Sequence, residues 1–124
     1  MQYLCLCHYS LKNFGSFGPA EFEEIGRICE PHDAELKASG NVRLIGSLAM
    51  PDAFRTLRAN RDGSIDVSEG PYASTDEPFG AFLIVEANSM DEAERIARLH
   101  PGTHLGHLMA GGIEIRPIEQ LERL

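Results

Sequence analysis

The sequence has no tryptophan and only 7% aromatic residues. It also has no apolar run near the roughly 20 residues that a membrane-crossing helix requires. Cations are scarce: 11 Lys and Arg stand against 19 Asp and Glu, a net charge of −8. No basic cluster occurs anywhere, which argues against nucleic acid or an anionic membrane as partner, because both demand gathered positive charge. The opening MQYLCLCHYS lacks a basic region, a long apolar segment and a small-residue cleavage site, so it reads as a first strand and not as a secretion signal. There is no phosphate-binding glycine loop, dinucleotide fingerprint or Ser-His-Asp signature, and no cofactor is expected. Three cysteines are an odd number. Cys5 and Cys7 lie two apart on one strand face and cannot easily bridge, which points to a reduced, cytoplasmic protein.

What is present is ordinary globular composition, with 43% hydrophobic and 24% charged residues in 124, enough for one domain over residues 1–118 and a tail over 119–124. Residues 2–9 alternate as a strand with neither face strongly polar, so both faces should be covered, one by helices and one by a second subunit. A loop follows, with Asn13, Gly15, Ser16 and Gly18 as breakers. Pro19 and the acidic Glu21, Glu23 and Glu24 open a helix that Gly40 closes. Its buried stripe is Phe22, Ile25, Cys29, His32 or Asp33, and Leu36. Pro31 falls inside that pattern and should kink or split the helix near Glu30.

Residues 42–49 alternate Val42, Leu44, Gly46, Leu48 against Arg43, Ile45, Ser47, Ala49, a second strand. Asn60-Arg61-Asp62-Gly63 joins 53–59 to 64–68 as a hairpin. A turn-rich crossover, Glu69 to Ser74, leads to the apolar strand Phe79–Ala87. Ser89 and Glu92 form a capping box for a helix burying Ala93, Ile96 and Ala97, with His100 a further candidate for burial at its end, stopped by Pro101-Gly102. A last strand runs Ile113–Pro117. The order β-α-β, hairpin, β-α-β is a ferredoxin-like split βαβ with an extra hairpin, an α+β fold. With both helices on one face, the other sheet face is expected to pair with a second copy as a homodimer.

The start MQYLCLCHYS, the helix end LKASG, the crossover SEGPYAST and the stretch FGAFLIVEANSMDEAERIARLHPG with GGIEIRPI resemble the YCII-related family, in its branch named for an Asp-Gly-Pro-Phe motif. Here that motif reads Glu69-Gly70-Pro71-Tyr72. The usual Thr-Lys-Glu-Gln-Leu-Gly-Gly-Phe continuation reads Thr75-Asp76-Glu77-Pro78-Phe79-Gly80-Ala81-Phe82, with Asp76 for the lysine and Ala81 for the second glycine. The resemblance implies a dimeric α/β barrel and, for some members, small-molecule enzymes that include a dehydrochlorinase of an aromatic degradation pathway. It also implies, for shorter members, a His–Asp pair. The position matching that Asp is His100, and the position matching that His lies near Cys29, so the pair does not carry over.

His100 leads the candidate chemistry. At a helix C-terminus it should stay protonated near neutral pH and serve as general acid or base, or else cap the last carbonyls. His8, at the end of the first strand, and Glu69, in the crossover, complete the expected catalytic set; packing and turn-making are their simpler roles. Tyr72 could cover a pocket with its ring, and His32 with Asp33, after Pro31, could face a substrate; both are read as substrate-binding. His100, His104 and His107 follow H-x3-H-x2-H, a metal-ligand spacing on a continuous helix, but Pro101-Gly102 interrupts it, so no metal is assigned. The leading expectation is a cofactor-independent enzyme acting on a small organic molecule by elimination or proton transfer. Two alternatives stand beside it: a non-catalytic metabolite-binding or regulatory module, and a metal-dependent enzyme built on the three histidines.

Overall fold

The computed structural model describes the backbone of residues 1–124 and all side chains except those of Pro51 and His107. Strands β1 (Gln2–His8), β2 (Val42–Ser47), β5 (Phe79–Glu86) and β6 (Gly112–Pro117) form one antiparallel sheet in the order β2-β5-β1-β6. Helices α2 (Pro19–Ala38) and α3 (Met90–Ala97) connect them, and α1 (Leu11–Gly15) is a single turn after β1. Strands β3 (Arg55–Ala59) and β4 (Ile65–Glu69) pair only with each other, as a hairpin arm. This is the ferredoxin-like arrangement with an added hairpin.

Alternation along β1 decides the layering. Tyr3, Cys5, Cys7 and Tyr9 are buried, while Leu4, Leu6 and His8 are half-buried on the opposite face. Cys5 aligns with Leu83 of β5 and Ile115 of β6, and Tyr3 with Val85 and Pro117, so one face carries the core. Leu36 from α2 and Ala93, Ile96 and Ala97 from α3 close over it. Leu83 and Val85 are fully buried, each contributing about 1.5–3 kcal/mol. The small Ala93 and Ala97 let α3 sit directly on the sheet.

The start of α3 is half of the expected box. Ser89 Oγ accepts the Glu92 N–H at 3.1 Å, but the Glu92 carboxylate takes the Asn88 side-chain amide at 3.3 Å. Three further expectations change. Pro31 does not split α2, which runs unbroken to Ala38; its nineteen neighbours outweigh one missing N–H. Strand β2 does not keep strict alternation, because its register against β5 shifts between Val42 and Leu44. Val42 then joins Val85 on the core side while Leu44 joins Ile84 on the open side. Finally, only Leu36 of the expected α2 stripe is buried. Phe22 is 43% exposed, and Ile25 and Cys29 are half-buried because they face a cavity.

The sheet face opposite the helices carries Leu4, Leu6, Phe82, Ile84 and Leu44, bordered by Glu114 and Arg116 in the same rows. The arm also leaves apolar side chains in water: Leu57, Ile65 and Val67 are each about three-fifths exposed on one arm face. Gly70, at φ +106°, turns the chain out of the arm where an L-side chain would be strained. Pro101–His104 and Gly106–Leu108 are short 3₁₀ turns between α3 and β6, and residues after Ile118 form no regular element.

Candidate functional site: two cavities at one end of the sheet

Two cavities meet at the end of β1. The first, about 520 Å³, lies on the helix side, between Cys7 and Ala81 of the sheet, Ile25 and Cys29 of α2, and His100. It exists because the N-terminal half of α2 stands off from the strands while Leu36 at the other end packs down. Phe14 and Tyr9 pack edge to face at its wall, with centroids 5.3 Å apart. The Tyr9 ring lies against Gly80, where any Cβ would come within 2.5 Å of it. No Asp or Glu lines this cavity among the described residues.

His100 is not the C-terminal, protonated histidine that the sequence suggested. Helix α3 ends before it, and His100 is the N-cap of the following 3₁₀ turn, with Pro101 at the first position. Its Nδ1 accepts the Gly102 N–H at 3.0 Å. An accepting Nδ1 leaves the ring proton of the neutral imidazole on Nε2. Burial holds the pKa of His100 below its ordinary 6.5. The Asp33 carboxylate partly opposes that shift, and His104 adds slightly to it. Both the cap and the burial favour a neutral ring, which corrects the expectation of an imidazolium. The sequence already contained the signal, since His-Pro-Gly is an N-cap followed by proline.

Cys7 Sγ packs on this ring, 3.7 Å from Nε2 and 3.9 Å from Nδ1. Near-equal distances describe a thiol lying against the imidazole and not a hydrogen bond aligned with one nitrogen. Burial pushes the Cys7 thiol up to about 12, with Cys5 adding to the effect, and Cys5 itself up to about 11. Cys7 and His100 are therefore a neutral thiol beside a neutral imidazole, the opposite of a thiolate nucleophile beside an imidazolium. Cys29, across the cavity, is raised less, by burial and by Asp33. Neither Cys7 nor Cys29 stood out in the sequence as a cavity residue, because a cysteine on a buried strand or helix stripe reads as packing.

The second cavity, about 780 Å³ and more open, lies between the sheet end and the arm. Leu48, Phe54, Pro71, Tyr72 and Phe79 supply its apolar walls, and His8 its ring. His8 pairs with Phe79 across the strands and continues the open-face row; the two rings meet edge to face at 5.9 Å. His8 Nδ1 donates to the Glu77 carbonyl at 2.8 Å. His8 and Leu48 border both cavities.

The remaining sequence candidates scatter. Glu69 sits on β4, 3.2 Å from Arg55, with both side chains largely in water, and it lines neither cavity. Tyr72 is 69% exposed on the rim of the second cavity, its ring under the Arg58 guanidinium at 4.3 Å. His32 stacks on His104, with centroids 3.6 Å apart and planes within 2°. His104 Nε2 donates to the Arg98 carbonyl at 3.0 Å. Asp33 pairs with Lys37 at 2.8 Å. The structure thus brings His100 and Asp33 into electrostatic range but directs His104 towards His32. The side chain of His107 lies outside the described residues, and among the described residues no group of three or more His, Cys, Asp or Glu is arranged to hold a metal ion. No helix is long and apolar enough to cross a membrane.

Comparison with known proteins gives likenesses in sequence, structure and family. An uncharacterised protein of Rhizobium meliloti strain 1021 is 27% identical over 122 residues, covering 95% of this chain and 92% of that protein. Among solved structures, 5-chloro-2-hydroxyhydroquinone dehydrochlorinase of Burkholderia phenoliruptrix AC1100, in complex with 2,5-dihydroxybenzoquinone, aligns over 96% of this chain and 94% of its own. That alignment has 20% identity and a TM-score of 0.49. The family model of the YCII-related domain matches residues 1–122, and the chain belongs to the YCII-related family.

Proposed function

We propose that the protein is a cofactor-independent enzyme of the elimination or proton-transfer type, acting on a small, flat organic molecule in the helix-side cavity. The observation that carries this reading is the orientation of His100. Its Nδ1 is held by the Gly102 N–H, and its Nε2–H is left as a neutral donor in an apolar cavity. A preorganised neutral imidazole of this kind stabilises negative charge developing on a substrate oxygen, as in an enolate or phenolate, and does so more strongly where water is excluded. His100 then acts as an electrophile and not as the proton-carrying acid of the initial expectation. With no carboxylate on the wall, the substrate enters already ionised at its hydroxyl or enol oxygen, its proton left in bulk water; in an elimination the electron pair of the ionised keto tautomer expels halide as the carbon–halogen bond breaks, and the halide leaves to solvent.

The test is turnover of halogenated hydroxyhydroquinones and enolisable ketones by the wild type and by His100→Phe. Loss of about 10²-fold or more in kcat with little change in KM is expected. Full activity in His100→Phe would end the proposal. One observation favours a second reading, a non-catalytic metabolite-binding module: the same absence of a carboxylate base from the helix-side wall. Tight binding of such compounds without any turnover would select it.

The reading extends to a cytoplasmic homodimer. The apolar row of Leu4, Leu6, Ile84 and Phe82 on the open sheet face supports self-association, and three free cysteines suit a reducing compartment. Light scattering that gives a monomer mass at micromolar concentrations would remove the dimer.

A further inference from the structure

The Glu69-Gly70-Pro71-Tyr72 crossover and His8 are not used by the helix-side reading, yet they meet around the second cavity. Three of the polar side chains on its wall are already committed. Thr56 Oγ1 donates to the Gly70 carbonyl at 2.8 Å, Arg55 is paired with Glu69, and Thr75 Oγ1 accepts the Glu77 N–H at 3.1 Å. Two further side chains of the described lining have a polar atom without such a bond: the hydroxyl of Tyr72, on a side chain largely in water, and Nε2 of His8. Because His8 Nδ1 must carry a proton to donate to the Glu77 carbonyl, Nε2 of the neutral ring is an acceptor. The same cavity is walled by Phe54, Phe79, Pro71 and Leu48, which offer flat apolar contact to a ring.

We propose that the arm-side cavity is a second ligand site, separate from the helix-side one, for a neutral aromatic molecule carrying one hydrogen-bond donor, with its hydroxyl on His8 Nε2. The recognition is opposite in sense to that of His100. His8 accepts a proton donor, whereas His100 donates to an oxygen. The edge-to-face contact of His8 with Phe79 fixes the imidazole plane, so the acceptor direction is set before the ligand arrives. The Gly70-Pro71 turn, with Gly70 at positive φ, carries the chain from the arm across the cavity rim and places the Tyr72 ring there.

The probe is phenol, which stays un-ionised at neutral pH, with anisole as the analogue lacking the donor. Titration of histidine-labelled wild-type protein by ¹⁵N NMR is expected to move the His8 Nε2 resonance with saturation, independently of any shift at His100. Anisole should bind about tenfold or more weakly. His8→Phe should remove the preference for phenol, and His100→Gln should leave it in place. The wild-type NMR measurement decides the matter even if a His8 variant folds poorly. Equal binding of anisole, movement confined to His100, or a His8 resonance unmoved at millimolar phenol would each overturn the proposal; the last is the outcome if a second copy of the chain already fills the cavity.

Discussion

Cys7 and His8 are neighbours in the chain, yet they belong to different chemistries. Cys7 points to the helix side and touches His100; His8 points to the open side and meets Phe79 and the arm. The two histidines are held in opposite tautomers by backbone groups. The Gly102 amide leaves His100 with a donor at Nε2, and the Glu77 carbonyl leaves neutral His8 with an acceptor there. The helix-side cavity is walled by Phe14 of α1 and Ile25 and Cys29 of α2, whereas the arm-side cavity is bounded by a hairpin with three exposed apolar side chains. A one-residue step along a strand is enough to turn one side chain to the helix side and the next towards the arm.

The widest contrast should appear in stability. Leu83→Ala, which empties the centre of the helix side, is expected to cost about 2–5 kcal/mol in denaturant unfolding, whereas Leu57→Ala on the arm costs within about 0.5 kcal/mol. Comparable losses would mean that the arm is part of the cooperative core. Next in size, Gly70→Ala should destabilise by about 1 kcal/mol because of its positive φ, and it should weaken phenol binding on the arm side only.

The pH dependence separates the two sides through His100. Its folded pKa lies below the unfolded 6.5, so the unfolded chain binds more protons as the solution is acidified through that range. The stability that neutral His100 allows is complete above the unfolded value and is lost as pH falls through the folded one. Unfolding free energies measured between neutral and mildly acid pH should show a shallower slope in His100→Gln than in the wild type; an unchanged slope would show that the ring is not held neutral.

Thiol reactivity sharpens the helix side alone. With a thiol-alkylating reagent at mildly alkaline pH, mass spectrometry should find Cys29 modified well before Cys5 or Cys7, whose thiols are held near 11 and 12 by burial. Early modification of Cys7 would contradict the neutral pair. The smallest effect is expected at Glu69. Glu69→Gln removes an exposed ion pair with Arg55 and should change stability by less than about 0.5 kcal/mol.

Most of the fold was legible because its signals are local. Alternation in residues 2–9, the glycine turn at Gly63, and Ser89 before an apolar stripe each specify an element from its own residues. The misreadings came where a neighbour decides. Strict alternation was expected for residues 42–49, but β5 imposes a shifted register between Val42 and Leu44. The α2 stripe was expected to be core, but the helix stands off and Ile25 and Cys29 line a void. Of the candidate residues, His100 and His8 line cavities, while burial and the Gly102 N–H favour a neutral His100 ring instead of the expected imidazolium, and Glu69 is drawn to Arg55 on the arm.

By itself the sequence determined the order of the strands and of the two longer helices, the hairpin, the family, and which side chains can carry protons; the short helix Leu11–Gly15 reads as loop. These follow from periodicity, caps and turn residues, which act over a few positions. Only the tertiary structure decided which nitrogen of His8 is free, because its deciding partner, the Glu77 carbonyl, lies 69 residues away. It also decided that Cys7 meets His100 across 93 residues, and that His100 lines the helix-side cavity while His8 borders both. Burial and hydrogen-bond partners set protonation, and neither exists until the chain is folded.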